Sequence, residues 1–196
     1  MVHKINYCLL FFLFFLMGTA CKNKLEGHNV YQTTVKKELA KGTRKDSIFL
    51  GIYFGMTNKD FFGHCWTLNK KGIISDGNNN TMVLYRIDSA LKHPASMNFY
   101  PDFYENKIFR MRVSFQYNAW APWNKNQFAD SLLPDVVNLY KQWYPDGNDF
   151  IELTDARKGT IYVKVDGNRR ITIGKFDDML VKVEYMDLII EKIGKK

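Results

Sequence analysis

Cysteine is scarce in this chain, with three in 196 residues, and two of them, Cys8 and Cys21, fall within the first 21. The rest of the chain holds Cys65 alone, which excludes a disulfide framework and leaves a hydrophobic core to supply stability. A Cys21–Cys65 bridge is the rival accounting, open only if Cys21 keeps a free thiol. Long apolar runs are also missing. The longest, Tyr7 to Met17, is too short for the roughly 20 residues that cross a bilayer core. Histidine is sparse, and His28, His64 and His93 lack the spacing of a metal cluster, so neither a metal site nor a cofactor is expected. The nucleophile elbow, the P-loop, the dinucleotide fingerprint and the zinc-protease helix are all absent from the sequence.

Net basicity is present in the total but scarce in the body. The formal charge is +8, yet Lys4 lies in the N-terminal segment. Residues 22–46 hold seven Lys or Arg against Glu26, Glu38 and Asp46, and residues 191–196 hold three Lys against one Glu. Residues 47–190 are left at +1. A nucleic-acid module would show a basic stripe on the folded domain, and none is visible, so nucleic acid is not an expected partner.

What the chain does have is an address. Lys4 and the chain's amino group precede the apolar run, and the small residues Gly18, Thr19 and Ala20 deliver Cys21. That is the layout of a signal peptide over residues 1–20. The run into Cys21 resembles the lipobox of bacterial lipoproteins, with Gly18 where that family usually has Leu. The resemblance implies cleavage before Cys21, acylation of Cys21 and attachment to a membrane of the cell envelope. Lys22 stands where an Asp often retains such proteins at the inner membrane, which points to the outer membrane. Residues 21–46 are then expected to form a lipid-anchored basic tether, a coil holding the body some way off the membrane or lying against anionic headgroups.

The body, residues 47–196, is expected to be α+β, with helices packed on one face of an antiparallel sheet. An apolar run over residues 48–54 predicts a buried strand. Thr57 and Asp60 have the spacing of a capping box, and a helix follows with Phe61, Phe62, Cys65, Trp66 and Leu68 on its apolar face. Strands are predicted over 82–87, 97–104 and 108–117. In the last, Phe109, Met111, Val113, Phe115 and Tyr117 alternate with Arg110, Arg112, Ser114 and Gln116. A second helix is expected near 124–144, kinked or split at Pro134, with Phe128, Leu132, Val136, Tyr140 and Trp143 along one side. Strands over 160–165, 169–174 and 179–185 complete a meander. Helix then three strands, twice, divides the body into units 48–118 and 119–193.

The tether, Gly55-Met56-Thr57, the aromatic-rich helix and the meander resemble the small lipoproteins of outer-membrane assembly and the β-lactamase-inhibitor-protein-like repeats. That resemblance implies a non-catalytic domain that binds another protein of the envelope. The candidate contacts are the polar strand face of Arg110, Arg112 and Gln116 and the ring cluster of Tyr117, Trp120 and Trp123. Exposed rings at Trp120 and Trp123 would also suit a glycan, which is the second reading. A hydrolase is the third, because the separation of a carboxylate pair is not written in sequence spacing. Glu105, Asp146, Asp149 and Glu152 sit near turns and are expected to be solvated. Cys65, on the apolar helix face, is expected to pack as a small hydrophobe and not to act as a nucleophile.

Overall fold

A computed structural model describes residues 27–77, 82–155 and 159–193. The expected signal peptide and Cys21 lie outside the described residues. The described chain is α+β, built on one eight-stranded antiparallel sheet. Helix α1 covers residues 27–40, and α2 (Asn58–Lys70) leads into β1 (Ile74–Asp76), β2 (Val83–Ile87), β3 (Ala95–Tyr104) and β4 (Lys107–Tyr117). After a 3₁₀ turn at Lys125–Gln127, α3 (Ala129–Trp143) leads into β5 (Ile151–Asp155), β6 (Gly159–Asp166), β7 (Arg169–Lys175) and β8 (Val181–Asp187), and α4 (Leu188–Ile193) follows. Helices α2 and α3 therefore each precede four strands, not the three expected. The edge strands β1 and β5 are short and were not evident from alternation.

Strand order is β1-β2-β3-β4-β8-β7-β6-β5. The two runs of four meet at their last strands, where Met111 faces Tyr185 and Val113 faces Val183. Tight turns set the registers. Glu105 and Asn106 join β3 to β4 with φ of 47° and 62°, the left-handed pair of a two-residue hairpin. Gly167 opens the β6–β7 turn at φ 56°.

Alternation sends neighbouring side chains to opposite faces, and both faces are used. On one face, Phe99, Met111, Val113, Phe115, Ile171, Ile173, Val183 and Tyr185 form the main core with Phe61 and Leu68 of α2 and Leu132, Val136 and Tyr140 of α3. On the other, Val163, Val165, Met186 and Leu188 form a smaller cluster against Tyr31, Val35 and Leu39 of α1. The coil expected over residues 22–46 is corrected accordingly: residues 27–40 are helical, because Tyr31, Val35 and Leu39 at steps of four make a narrow apolar stripe with a place to bury. The expectation that the helices share one face is corrected by the same contact.

Four local expectations also change or sharpen. The apolar run 48–54 is buried at Ile48, Ile52 and Phe54, but it is a tight loop and not a sheet strand. Leu50 and Gly51 both have positive φ, and the Ile48 amide donates to the Ile52 carbonyl at 2.8 Å. In α2 the Thr57 cap is present, its Oγ1 accepting from the Asp60 amide at 3.2 Å. Phe61, Cys65 and Leu68 turn inward, whereas Phe62 and Trp66 are 47% and 64% exposed. Pro134 lies inside α3, which is one helix through it. In β4, Ile108 pairs with Phe103 and Arg110 with Asp102, so Phe109 bulges out of the ladder. It joins the α1 side of the sheet, and Ile108 takes its expected place in the main core.

Candidate functional site

Helix α1 covers only part of its face of the sheet. Beside it, a groove of about 570 Å³ crosses β3, β4, β8 and β7. Its floor follows from strand register. Asn98, Ser114, Lys182 and Gly174 stand opposite one another in one row, and Arg112, Glu184 and Thr172 in the next. Their paired positions put these side chains on the face away from α2 and α3. Ile161, Phe176 and Leu180 add apolar walls. A second, more open cleft of about 1090 Å³ lies beside α2, between Phe62, Trp66, Ile74, Val83 and Tyr100. Arg112 lines both.

The charges on this face are ordered. Asp102 binds two arginines: its Oδ2 accepts from Arg110 Nε, and its Oδ1 from Arg112 Nη2 at 2.7 Å. Arg170 donates to Glu184 at 3.4 Å, to Tyr31 at 3.2 Å, and to both oxygens of Glu191 at 3.1 and 3.2 Å. This network joins α1, β7, β8 and α4. At the exposed end, pairs of this kind hold side chains in position more than they add stability.

The sequence-derived candidates separate. Arg112 and Gln116 line the groove, and Arg110 stands at its border, held by Asp102. Tyr117, in contrast, presents no surface to a partner: it is fully buried and its hydroxyl donates to Asp135. Burial, with that carboxylate, pushes the Tyr117 hydroxyl far above its ordinary range. Trp120 is half-buried beside Phe128, its Nε1 donating to the Asp178 carbonyl at 3.2 Å. Trp123 is 84% exposed, so it stands open at the surface where Trp120 is half covered. Asn98, Ser114, Thr172, Lys182 and Glu184 were not anticipated. Their only signal was that each is the polar partner in an alternating strand.

Cys65 is buried on α2, and burial pushes its thiol up to about 11, away from a reactive thiolate. Its neighbour His64 is engaged elsewhere, with Nε2 at 2.6 Å from the Leu50 carbonyl oxygen. Among the described residues, no group of three or more His, Cys, Asp or Glu side chains could hold a metal ion. None of the family models, curated proteins or solved structures compared with this chain matches it.

Proposed function

We propose that this protein is a lipid-anchored component of the bacterial cell envelope whose open sheet face binds another envelope component without catalysis. The observation that carries the reading is the groove beside α1, where four strands present ordered polar and charged side chains walled by Ile161, Phe176 and Leu180. A recess of that size with an apolar wall and a few fixed polar groups suits recognition. The buried thiol of Cys65, pushed up to about 11, argues against its use as a nucleophile. The address over residues 1–20 and acylation of Cys21 supply the location, with Lys22 favouring the outer membrane.

The two runs of one helix and four strands, meeting at β4 and β8, support a duplicated unit, and the open groove crosses the junction of the two. Labelling with palmitate tests the anchor: the chain should take label, and Cys21→Ser should not. Crosslinking in intact cells, followed by mass spectrometry, tests the groove. Crosslinks mapping to β3, β4, β7 and β8 support it, and crosslinks confined to α2 and α3 overturn it. A glycan partner stacked on Trp123 would instead leave the groove free of crosslinks and show binding lost in Trp123→Ala.

A further inference from the structure

We infer that the layer formed by α1 and α4 is the surface that rests on an anionic lipid bilayer. The inference rests on the proposed anchor at Cys21, and the short span from that residue is its first support. Five residues lie between Cys21 and Gly27, a reach of at most about 20 Å even if fully extended. Gly27 itself lies against β5, where a Cβ would come within 3.0 Å of the Glu152 carbonyl oxygen. An acylated Cys21 therefore holds Gly27 close to the headgroups.

The two helices form one surface. Arg170 ties them from beneath, donating to Tyr31 of α1 and to Glu191 of α4. The outward charge of this layer has one sign. Lys36, Lys37 and Lys192 are exposed, whereas among the described residues of the two helices the carboxylates are engaged, Glu38 beneath Lys41 and Gly167, and Glu191 on Arg170. Val30, Ile189 and Ile193 are exposed among these lysines, 47%, 38% and 49% respectively. Lysines attracted to anionic headgroups, with apolar side chains at the headgroup boundary, are the pattern of a surface lying on a membrane. The layer sits on the same face of the sheet as the groove, so this seating sets the groove alongside the bilayer.

Amine footprinting tests the pose on the full chain as purified. The protein is compared in detergent and in vesicles of phosphatidylcholine mixed with phosphatidylglycerol. Labelling of Lys36, Lys37 and Lys192 should slow at least about threefold on the vesicles, while Lys59 of α2 and Lys141 of α3 keep their rates. Equal rates at all five, or protection of Lys59 and Lys141 instead, overturn the pose. The intact mass reports separately whether Cys21 is acylated. If it is not, the anchor reading fails, and Cys21→Ser protein isolates the surface. That protein should sediment with phosphatidylglycerol-containing vesicles in preference to phosphatidylcholine alone. Combining K36E, K37E and K192E should weaken this by roughly 100-fold, about fivefold per lysine. Sedimentation indifferent to phosphatidylglycerol or to the three substitutions overturns the surface whatever the state of Cys21.

Discussion

The Gly167 amide donates a 3.0 Å hydrogen bond to Glu38 Oε2 across 129 residues of sequence, joining the end of α1 to the β6–β7 turn. Glu38 is only 4% exposed, and its other oxygen takes the Lys41 ammonium at 2.5 Å. Nearby, Arg44 binds both Asp46 and the buried Asp187, and the Lys45 amide donates to Asn168 Oδ1 at 2.6 Å. The described part of the segment expected to be a leash is thus fastened to the sheet, through apolar contacts at Tyr31, Val35 and Leu39 and polar ones from Glu38 to Lys45.

Replacing Glu38 measures that fastening. Burial alone would raise its carboxyl, but hydrogen bonds from Lys41, Asn148 and the Gly167 amide, with the Lys41 charge, hold it at about 2. Because the folded value lies below the unfolded one, the stabilisation is complete above the unfolded carboxyl range near pH 4.3 and is lost as pH falls toward 2. Glu38→Ala should cost about 1 to 3 kcal/mol at pH 7 by denaturant unfolding, since it leaves a buried amide unpaired. The difference between wild type and Glu38→Ala should shrink between pH 4.5 and 2. A gap independent of pH would mean that the carboxylate charge is not what matters.

Gly167→Ala should be more damaging than a glycine change on an open turn. Its φ is 56°, and an added Cβ would stand 2.3 Å from the Thr43 carbonyl oxygen, which belongs to backbone and cannot swing aside. We expect a loss of at least about 2 kcal/mol. Gly55→Ala, also at positive φ but with open space around it, is the control and should cost about 1 kcal/mol. Thermal unfolding of the two variants decides the order.

Phe61 and Phe62 are neighbours on α2 with opposite surroundings. Phe61 is fully buried against Phe103 and Tyr100, and Phe62 opens onto the larger cleft. Phe61→Ala should cost about 3 to 5 kcal/mol, and Phe62→Ala under about 1. Similar losses in chemical denaturation would mean that the helix is rotated from the orientation described.

Cys65 should resist modification while the protein is folded. With its thiol at about 11 and buried, reaction with an aromatic disulfide reagent at pH 8 should be slow in buffer and rapid in guanidinium. Fast reaction at Cys65 itself, located by peptide mass apart from Cys8 and Cys21, would place that thiol at the surface and reopen a catalytic role.

Much of the local structure was legible in the sequence because its causes are local. The Thr57 cap and the alternation from Met111 to Tyr117 both depend on residues within a few positions of one another. The loop at 48–54 was misread because its apolar run looks like a strand, and only the positive φ at Leu50 and Gly51 reverses it. Helix α1 was hidden by its lysines. They dominated the charge pattern, while the stripe of Tyr31, Val35 and Leu39 needs β6 and β8 beneath it to acquire meaning. Only part of the candidate site was legible for a similar reason. Arg112 and Gln116 follow from alternation in β4 alone, whereas Thr172, Lys182 and Glu184 join them only through the pairing of β4 with β8 and of β8 with β7.

Site-specific photocrosslinking in living cells tests the groove most directly. A photoreactive amino acid at Ser114, on the groove floor, should give a discrete crosslinked species that the same probe at Lys141, on the outer side of α3, does not give. Filling the groove with Thr172→Trp should abolish that species while the protein stays folded. A crosslink that forms equally from both positions, or that persists undiminished in the filled variant, would contradict the assignment of the open sheet face as the binding surface.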